Sequence, residues 1–178
     1  PEVMEYQEIV VTREQNIQGK GYGKLLVPTL QSHFLNFYGE PSLTYDELNH
    51  EFTNKNKYTE LSGQKYFNND VYKKRISLSF DTLLLEGNFR AQNTNRMAYI
   101  YVVGIGLGVW KISNHQTKLF IDTFGNRIVC LNDALFSVSD VCFSYIDANS
   151  CGKYKNGDII PINGHPLGGI RIHFTKKN

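Results

Sequence analysis

Three glycines alternate with aliphatic residues just past the middle of the chain, in the segment Gly104-Ile105-Gly106-Leu107-Gly108-Val109-Trp110. A backbone without β-carbons can turn sharply, approach a ligand closely and direct its amides at an anion. A helix is predicted directly after the segment, and the amino end of a helix carries a partial positive charge. The spacing therefore predicts a loop that binds a phosphate or diphosphate. A tight turn that uses glycine only for its dihedral angles is the alternative.

Two well-known nucleotide-binding motifs do not fit this loop. The dinucleotide motif Gly-x-Gly-x-x-Gly needs glycine or alanine at its sixth position, where this chain has Val109. No acidic residue ends the next strand at about twenty residues, because Asp122 falls on the predicted helix. The loop also lacks the Gly-Lys-Ser/Thr sequence that completes a P-loop. The pattern therefore favours a diphosphate site without a metal-binding hydroxyl.

A strand precedes the glycine loop, and a helix and a second strand follow it. Residues 99–103 are a nearly continuous β run, typical of a strand covered on both faces. Ser113 and Gln116 have the spacing of a capping box at a helix start. One face of that helix is marked at every fourth position by Phe120, Phe124 and Ile128. Residues 141–146 form the second strand, which ends at Asp147, so the segment predicts a βαβ unit with parallel strands.

The first part of the chain has weaker signals. A strand is predicted at residues 6–12 and a helix from Pro28 to a stop at Gly39. A second helix should begin at the capping box formed by Thr44 and Glu47. The stretch from residue 53 to residue 70 is rich in Asn, Lys and Gly, and we expect it to be a loop.

The remaining elements complete an α/β fold. Ile76, Leu78 and Phe80 alternate with serines, which predicts a half-buried strand that runs to Leu85. Residues 87–96 are expected to be a polar loop. The last two β segments, predicted as a hairpin or two edge strands, are residues 159–162 and 170–174. We therefore expect one domain over residues 1–178, with helices packed on both faces of a mixed sheet.

Composition excludes several classes of function. The 178 residues are 41% hydrophobic and 13% aromatic, which excludes a disordered chain. The 19 Lys and Arg residues nearly balance 17 Asp and Glu and are scattered, so we expect no nucleic-acid partner. No apolar run reaches the roughly 18 residues of a membrane span. Three cysteines without Cys-x-x-Cys spacing favour a reducing, cytoplasmic compartment, and the first residue, Pro1, is typical of a piece of a longer protein.

The segment from Tyr99 to Asp147 resembles the second phosphate loop and flanking elements of macrodomains, which bind ADP-ribose. Longer strings resemble the MavL-like family of divergent macrodomains, namely residues 102–110 with Gln116, residues 28–30 with 33–34, and residues 143–145. The resemblance implies a macrodomain fold and a hydrolase that removes ADP-ribose from an arginine side chain. Ubiquitin is the substrate protein of the family's bacterial member. The usual macrodomain segments Asn-Ala-Ala-Asn and Gly-Gly-Gly-Val are missing, and the glycine cluster at residues 19–23 is the candidate replacement.

Hydrolysis of the bond between ribose and a guanidinium suits carboxylates, which can orient the sugar and accept a proton from water. In the MavL-like family, three aspartates of the C-terminal region carry substrate binding and catalysis. The resemblance thus implies catalytic roles for Asp147 at a strand end, Asp158 in a glycine-rich loop, and Asp140, which precedes the strand of Asp147. Turn formation is the alternative for each, because Asp-Ala-Asn and Asn-Gly-Asp are common turn sequences.

Aromatic residues near the loop have two possible roles. Trp110 either packs under the loop as core or lines a ribose pocket, and Phe143 and Tyr145 either face an adenine or belong to the core. Three functions stay open: a metal-independent ADP-ribosylarginine hydrolase, a module that binds ADP-ribose without cleaving it, and a structural domain whose glycines only shape a turn. The first two imply ADP-ribose and an ADP-ribosylated protein as partners, with no metal and no cofactor.

Overall fold

The computed structural model describes residues 9–13, 35–41, 43–50 and 56–175. The chain divides into two compact units, Pro1–Arg75 and Ile76–Asn178. The glycine cluster at residues 19–23, the first residues of the strand predicted at 6–12, and the start of the helix predicted from Pro28 lie outside the described residues.

The first unit contains a three-stranded antiparallel sheet. Its strands are β1 (Val10–Thr12), β2 (Tyr58–Leu61) and β3 (Lys65–Asn68), in the order β1-β3-β2. The prediction of a loop over residues 53–70 is therefore wrong for most of its length. The hairpin forms because Tyr58, Tyr66 and Phe67 are buried. Its turn places Gly63 and Gln64 at φ 77° and 57°, in the left-handed region.

Two sequence signals of the first unit are confirmed. Gly39 ends a helical turn at φ 66°, and its amide donates to the Asn36 carbonyl at 3.0 Å. Helix α1 (Tyr45–His50) begins at the predicted capping box. The Thr44 amide donates to Glu47 Oε2 at 2.8 Å, and the Glu47 amide donates to Thr44 Oγ1 at 3.3 Å.

Helix α2 (Asn69–Asn93) replaces the predicted strand at residues 76–85 and most of the loop predicted at 87–96. Asn68 begins the helix, since its Oδ1 accepts the amides of Asp70 and Val71 at 3.2 and 3.1 Å. The buried side chains Phe80, Leu84 and Asn88 recur every fourth residue, which is helical spacing. The described residues contain no helix with the length and hydropathy needed to cross a membrane.

The second unit contains the predicted βαβ element. Strand β4 (Ala98–Val103) leads through the glycine loop to helix α3 (His115–Cys130) and to strand β5 (Val138–Ser144), which is parallel to β4. A short ribbon, β6 (Ser150–Cys151) and β7 (Tyr154–Lys155), precedes the hairpin of β8 (Ile159–Pro161) and β9 (Gly169–Thr175). The four-stranded sheet has the order β4-β5-β9-β8, with β9 parallel to β5 and β8 antiparallel to β9. The mixed sheet and the predicted hairpin are thus confirmed.

Both helices that pack on this sheet lie against the same core. Phe80 of α2 contacts Phe120 and Phe124 of α3 with ring centroids 4.8 Å apart. The sheet contributes the buried side chains Ile100, Val102, Val141, Phe143, Ile170 and Ile172. Among the described residues of this unit, the expectation of helices on both faces is therefore met for one face only. The expectation that β4 is covered on both faces is wrong there, because Tyr99, Tyr101 and Val103 are exposed.

Candidate functional site

The glycine loop leaves the carboxyl end of β4 and is closed by its own backbone. The amide of Ile105 donates to the Val103 carbonyl at 2.9 Å, and that of Leu107 donates to the Gly104 carbonyl at 3.0 Å. Further on, the Lys111 amide donates to the Gly108 carbonyl at 3.0 Å. The Leu107 side chain packs against the core of the second unit, so the loop has a fixed base.

The three glycines of the loop are required for different reasons. Gly106 has φ 77°, a conformation that favours glycine. A β-carbon at Gly104 would lie 3.1 Å from Leu107 Cβ and 3.3 Å from Ile146 Cγ1, so close packing explains this glycine. At Gly108 φ is not positive, and a β-carbon would meet no atom within 4 Å. The described part of the chain therefore gives no reason for glycine at position 108.

Part of the loop backbone is available to a ligand. Within the described ranges, the amides of Gly106, Gly108 and Val109 donate to no acceptor. Val109 is 94% exposed. Unpaired amides in a glycine loop before a helix are suited to binding an anion.

Exposed aromatic side chains lie at the end of the glycine loop and just after β5. Trp110 is 41% exposed, which contradicts the alternative that it packs as core. Phe143 is fully buried and stacks on Phe174 with centroids 5.2 Å apart, so it belongs to the core. Tyr145, just after β5, is 74% exposed and has φ 59°, which is rare for a bulky residue. Backbone strain of this kind is frequent at ligand sites.

The start of α3 differs in detail from the predicted capping box. Asn114 precedes the helix and makes no side-chain cap. Gln116 Oε1 accepts the amide of Ile112 at 3.0 Å rather than that of Ser113. The Ser113 hydroxyl lies 2.7 Å from His115 Nδ1, and burial lowers the pKa of His115.

A polar cavity of about 260 Å³ lies between the start of α3 and the segment that follows β5. It is lined by Asn114, Thr117, Lys118, Ile121, Asp122, Asp147, Ala148, Asn149 and Ser150. The Asp147 side chain is exposed and bonds no residue of the described part of the chain. Asp122, in contrast, accepts the Gly152 amide at 3.0 Å and pairs with Lys118. Asp147 is thus the carboxylate of this cavity that is free to act on a ligand.

The polar residues that share the cavity with Asp147 were not among the predicted site residues. Lys118 and Asp122 are four residues apart on α3, a spacing that places both on one helix face. That spacing was the available signal. No signal in the sequence indicated that Asn149 would face the same cavity.

Asp158 closes a turn before β8. Its Oδ2 accepts the Lys155 amide at 2.7 Å, and its own amide donates to the Lys155 carbonyl at 3.0 Å. Strand β8 lies two positions from β5 in the sheet, about 10 Å at roughly 4.8 Å per strand. The structure therefore does not bring Asp158 together with Asp147, and a catalytic role for it stays a prediction.

Asp140 lies inside β5, four residues before the strand ends at Ser144, or about 13 Å at roughly 3.3 Å per residue. His173 Nε2 is 2.7 Å from Asp140 Oδ1, and the His173 ring stacks on Tyr99. Burial raises the pKa of Asp140, but hydrogen bonds to Ser139 and His173 and nearby positive charge outweigh it, so the pKa lies below its usual value. The catalytic role of Asp140 also stays a prediction.

The chemistry of cysteine and metal sites gives no further candidate in the described ranges. Cys130, Cys142 and Cys151 are free thiols, and burial raises the pKa of Cys151 to about 12. No group of three or more His, Cys, Asp or Glu side chains in those ranges is arranged to hold a metal ion.

Comparison with known proteins identifies the family. The family model described as ADP-ribosylhydrolase MavL-like matches residues 1–178. The ADP-ribosylarginine hydrolase CG3568 of Drosophila melanogaster is 39% identical over 189 residues, covering 100% of this chain and 36% of that protein. The ADP-ribosylarginine hydrolase CG2909 of the same fly is 39% identical over 181 residues, covering 99% of this chain and 36% of that protein. The chain thus spans 36% of the length of these curated relatives. On these matches, the chain belongs to the MavL-like ADP-ribosylhydrolase family.

Proposed function

We propose that this chain is an ADP-ribosyl hydrolase domain with a macrodomain fold, and that it removes ADP-ribose from arginine side chains of a protein. Family membership and the activity named for the two fly relatives support the reaction. The mixed sheet, with a glycine loop after β4 and a parallel β5, supports the fold.

The ligand-binding part of the proposal rests on the open space at Gly108. No residue that the structure describes requires glycine there, so we assign the open space above its α-carbon to a ligand that approaches the backbone. The unpaired amides of Gly106, Gly108 and Val109 would donate to the oxygens of a diphosphate. The amino end of α3 adds positive potential at the same place.

The exposed rings at the end of the loop and just after β5 suit the rest of ADP-ribose. Tyr145 and Trp110 each present an aromatic surface on which an adenine or a ribose would pack. The left-handed backbone of Tyr145 directs its side chain away from the core. We assign Tyr145 to the adenine and Trp110 to the ribose pocket.

Asp147 is the carboxylate that we assign to the reaction. Its side chain is free, and it shares a polar cavity with Lys118 and the first turn of α3. In the proposed step, Asp147 takes a proton from a water molecule whose oxygen attacks the anomeric carbon of the ribose. The bond from that carbon to the guanidine nitrogen breaks, and the nitrogen keeps the electron pair and takes up a proton. The products are ADP-ribose and an unmodified arginine.

Asp140 and Asp158 enter the proposal through the resemblance to the family. Both have other contacts in this structure, with His173 and with the Lys155 amide respectively. If Asp140 or Asp158 acts on the substrate, replacing it with Asn must lower the activity by more than the accompanying loss of stability explains.

The test is release of ADP-ribose from ubiquitin that carries ADP-ribose on arginine, with and without a metal chelator. We expect turnover in both conditions and a loss of about a hundredfold or more in Asp147→Asn, the scale of an acid–base group. Asp133→Asn is the matched control, because Asp133 is exposed and precedes the opposite end of β5. Full activity in Asp147→Asn would remove Asp147 from the mechanism.

One observation favours the second candidate function, a module that binds ADP-ribose without cleaving it. Of the three predicted aspartates, only Asp147 makes no hydrogen bond or ion pair with another described residue, so the set of carboxylates around a substrate is small. Calorimetry separates the two candidates. Binding of ADP-ribose without turnover of any protein that carries ADP-ribose on arginine would identify the non-catalytic binding module. Absence of binding would reject both candidate functions.

A further inference from the structure

Gln116 is a buried polar side chain at the start of α3. It is only 1% exposed, although its amide group has two donors and two acceptor sites. Burying such a group costs free energy unless its polar atoms are bonded. The position of its partners therefore shows what the side chain does.

The two ends of the Gln116 amide bond to the backbone of the glycine loop and of the segment that follows it. Its Oε1 accepts the amide of Ile112 at 3.0 Å, and its Nε2 makes a long hydrogen bond of 3.5 Å to the carbonyl of Gly106. These two contacts lie on either side of Gly108 and Val109 in the chain. One side chain therefore links the first half of the loop to the residues that follow the loop and to the helix.

We propose that Gln116 is a positioning residue for the diphosphate site, because it holds the Gly106 carbonyl toward the protein. This inference rests on the proposed function. Gly106 has φ 77°, and a peptide unit next to such a glycine can rotate with little steric penalty. Rotation of that unit would break the bond from the Leu107 amide to the Gly104 carbonyl and turn the Gly106 carbonyl oxygen toward the phosphate oxygens, which it would repel. The donor from Gln116 opposes that rotation together with the Leu107 amide.

Two variants separate this role from simple packing. Gln116→Glu keeps the acceptor for the Ile112 amide and, when ionised, lacks the donor for the Gly106 carbonyl. Gln116→Met has a similar volume and lacks both. We expect the Kd for ADP-ribose at pH 7.5 to rise about tenfold or more in both variants. Lowering the pH to about 5 should restore binding in Gln116→Glu alone, since a protonated carboxyl donates again and burial raises its pKa.

Each variant is compared with the wild-type protein at the same pH, because His115 titrates nearby. Ile128→Val is the control for stability: Ile128 is buried on the same helix in the core of the second unit. It should lower the melting temperature and leave the Kd within about twofold.

The outcomes are distinguishable from failure of the proposed function. If the wild-type protein does not bind ADP-ribose, the proposed function fails. If it binds and both Gln116 variants bind equally well, the positioning role is wrong. Loss in both variants without recovery of Gln116→Glu at low pH, or a failure of both to fold, would show that Gln116 serves only the fold.

Discussion

The loop after β4 and the loop between β8 and β9 are both rich in glycine, and the protein uses their glycines in different ways. In the loop between β8 and β9, Gly164 and Gly168 have φ 75° and 79°. A β-carbon at Gly169 would lie 2.1 Å from the Ile160 carbonyl oxygen. The imidazole of His165 accepts the amides of Leu167 and Gly169, at 3.1 and 3.2 Å. Every glycine of this loop thus has a conformational or packing reason.

The loop after β4 differs at one glycine. Gly108 has neither a positive φ nor a close neighbour, and no described residue accepts the amides of Gly106, Gly108 and Val109. The number of glycines alone therefore does not indicate a ligand site. Amides without a described acceptor occur in both loops, because those of Asn163 and Gly164 also donate to none. What separates the two loops is Gly108, the glycine that no described residue explains.

The largest effect is expected in the β8–β9 loop. Gly169→Ala places a methyl group against the backbone of β8, which cannot move without breaking the hairpin. We expect a loss of about 3 kcal/mol or more in the free energy of unfolding, the scale of severe steric strain. Chemical denaturation measures it. A loss below about 1 kcal/mol would show that the hairpin adapts and would weaken the contrast between the loops.

His165→Ala tests how much of that loop depends on one side chain. The variant leaves the amides of Leu167 and Gly169 without their acceptor and the Val138 carbonyl without the donor that lies 3.0 Å away. We expect a loss of about 2–3 kcal/mol, the scale of unsatisfied buried polar groups. The Kd for ADP-ribose, measured by calorimetry below the melting temperature, should not change. A rise in the Kd would place the β8–β9 loop in the ligand site.

Gly108→Ala is the matching change in the other loop and should have the opposite profile. The free energy of unfolding should stay the same or rise by about 0.4–1 kcal/mol, because alanine restricts the unfolded chain. The Kd for ADP-ribose should rise about tenfold or more, because a methyl group would occupy the space proposed for the diphosphate. Asn163→Ala, an exposed change in the β8–β9 loop, is the control and should alter neither quantity. Unchanged affinity in Gly108→Ala would reduce the glycine loop to a turn.

The βαβ element could be predicted from the sequence because its periodicity allowed one interpretation. Helix α2 could not, since Ile76, Leu78 and Phe80 satisfy the alternation of a strand while Ile76, Phe80 and Leu84 satisfy helical spacing. Packing of Phe80 against α3 selects the helix, and Leu78 is left exposed. That choice depends on residues about forty positions away, which a local pattern does not contain.

The site was predictable to a similar extent. Glycine spacing indicated the position of the loop. The end of the predicted strand indicated Asp147, which lies three residues after β5 ends at Ser144 and whose role stays a prediction. The partners of Asp140 could not be predicted, because β5 and β9 pair in a register that places His173 beside it across 33 positions of sequence. Gln116 was recognised as a cap, but its contact with the Gly106 carbonyl depends on how the loop folds back.

Asp140 and Asp147 show the same contrast among side chains: Asp140 is bonded within the fold, whereas Asp147 has no described partner. The expected effect on the free energy of unfolding is the smallest of those considered. Because the pKa of Asp140 is lowered in the folded protein, its charge stabilises the fold above the unfolded value of about 4. That contribution disappears as the pH falls through the lower, folded value. Asp140→Asn should therefore be less stable by about 0.2–1 kcal/mol at pH 7, the scale of a partly exposed ion pair, and equal to the wild-type protein near pH 2.

Asp147→Asn should unfold like the wild-type protein at both pH values, since no described residue depends on its carboxylate. Urea denaturation at pH 7 and near pH 2 measures both variants side by side. If Asp147→Asn lost stability at pH 7 and Asp140→Asn did not, the assignment of one carboxylate to the fold and the other to the reaction would be reversed. Equal stability of both variants at pH 7 would mean that the pairing of Asp140 with His173 contributes no measurable stability. The Asp140 carboxylate would then be as available to a substrate as that of Asp147.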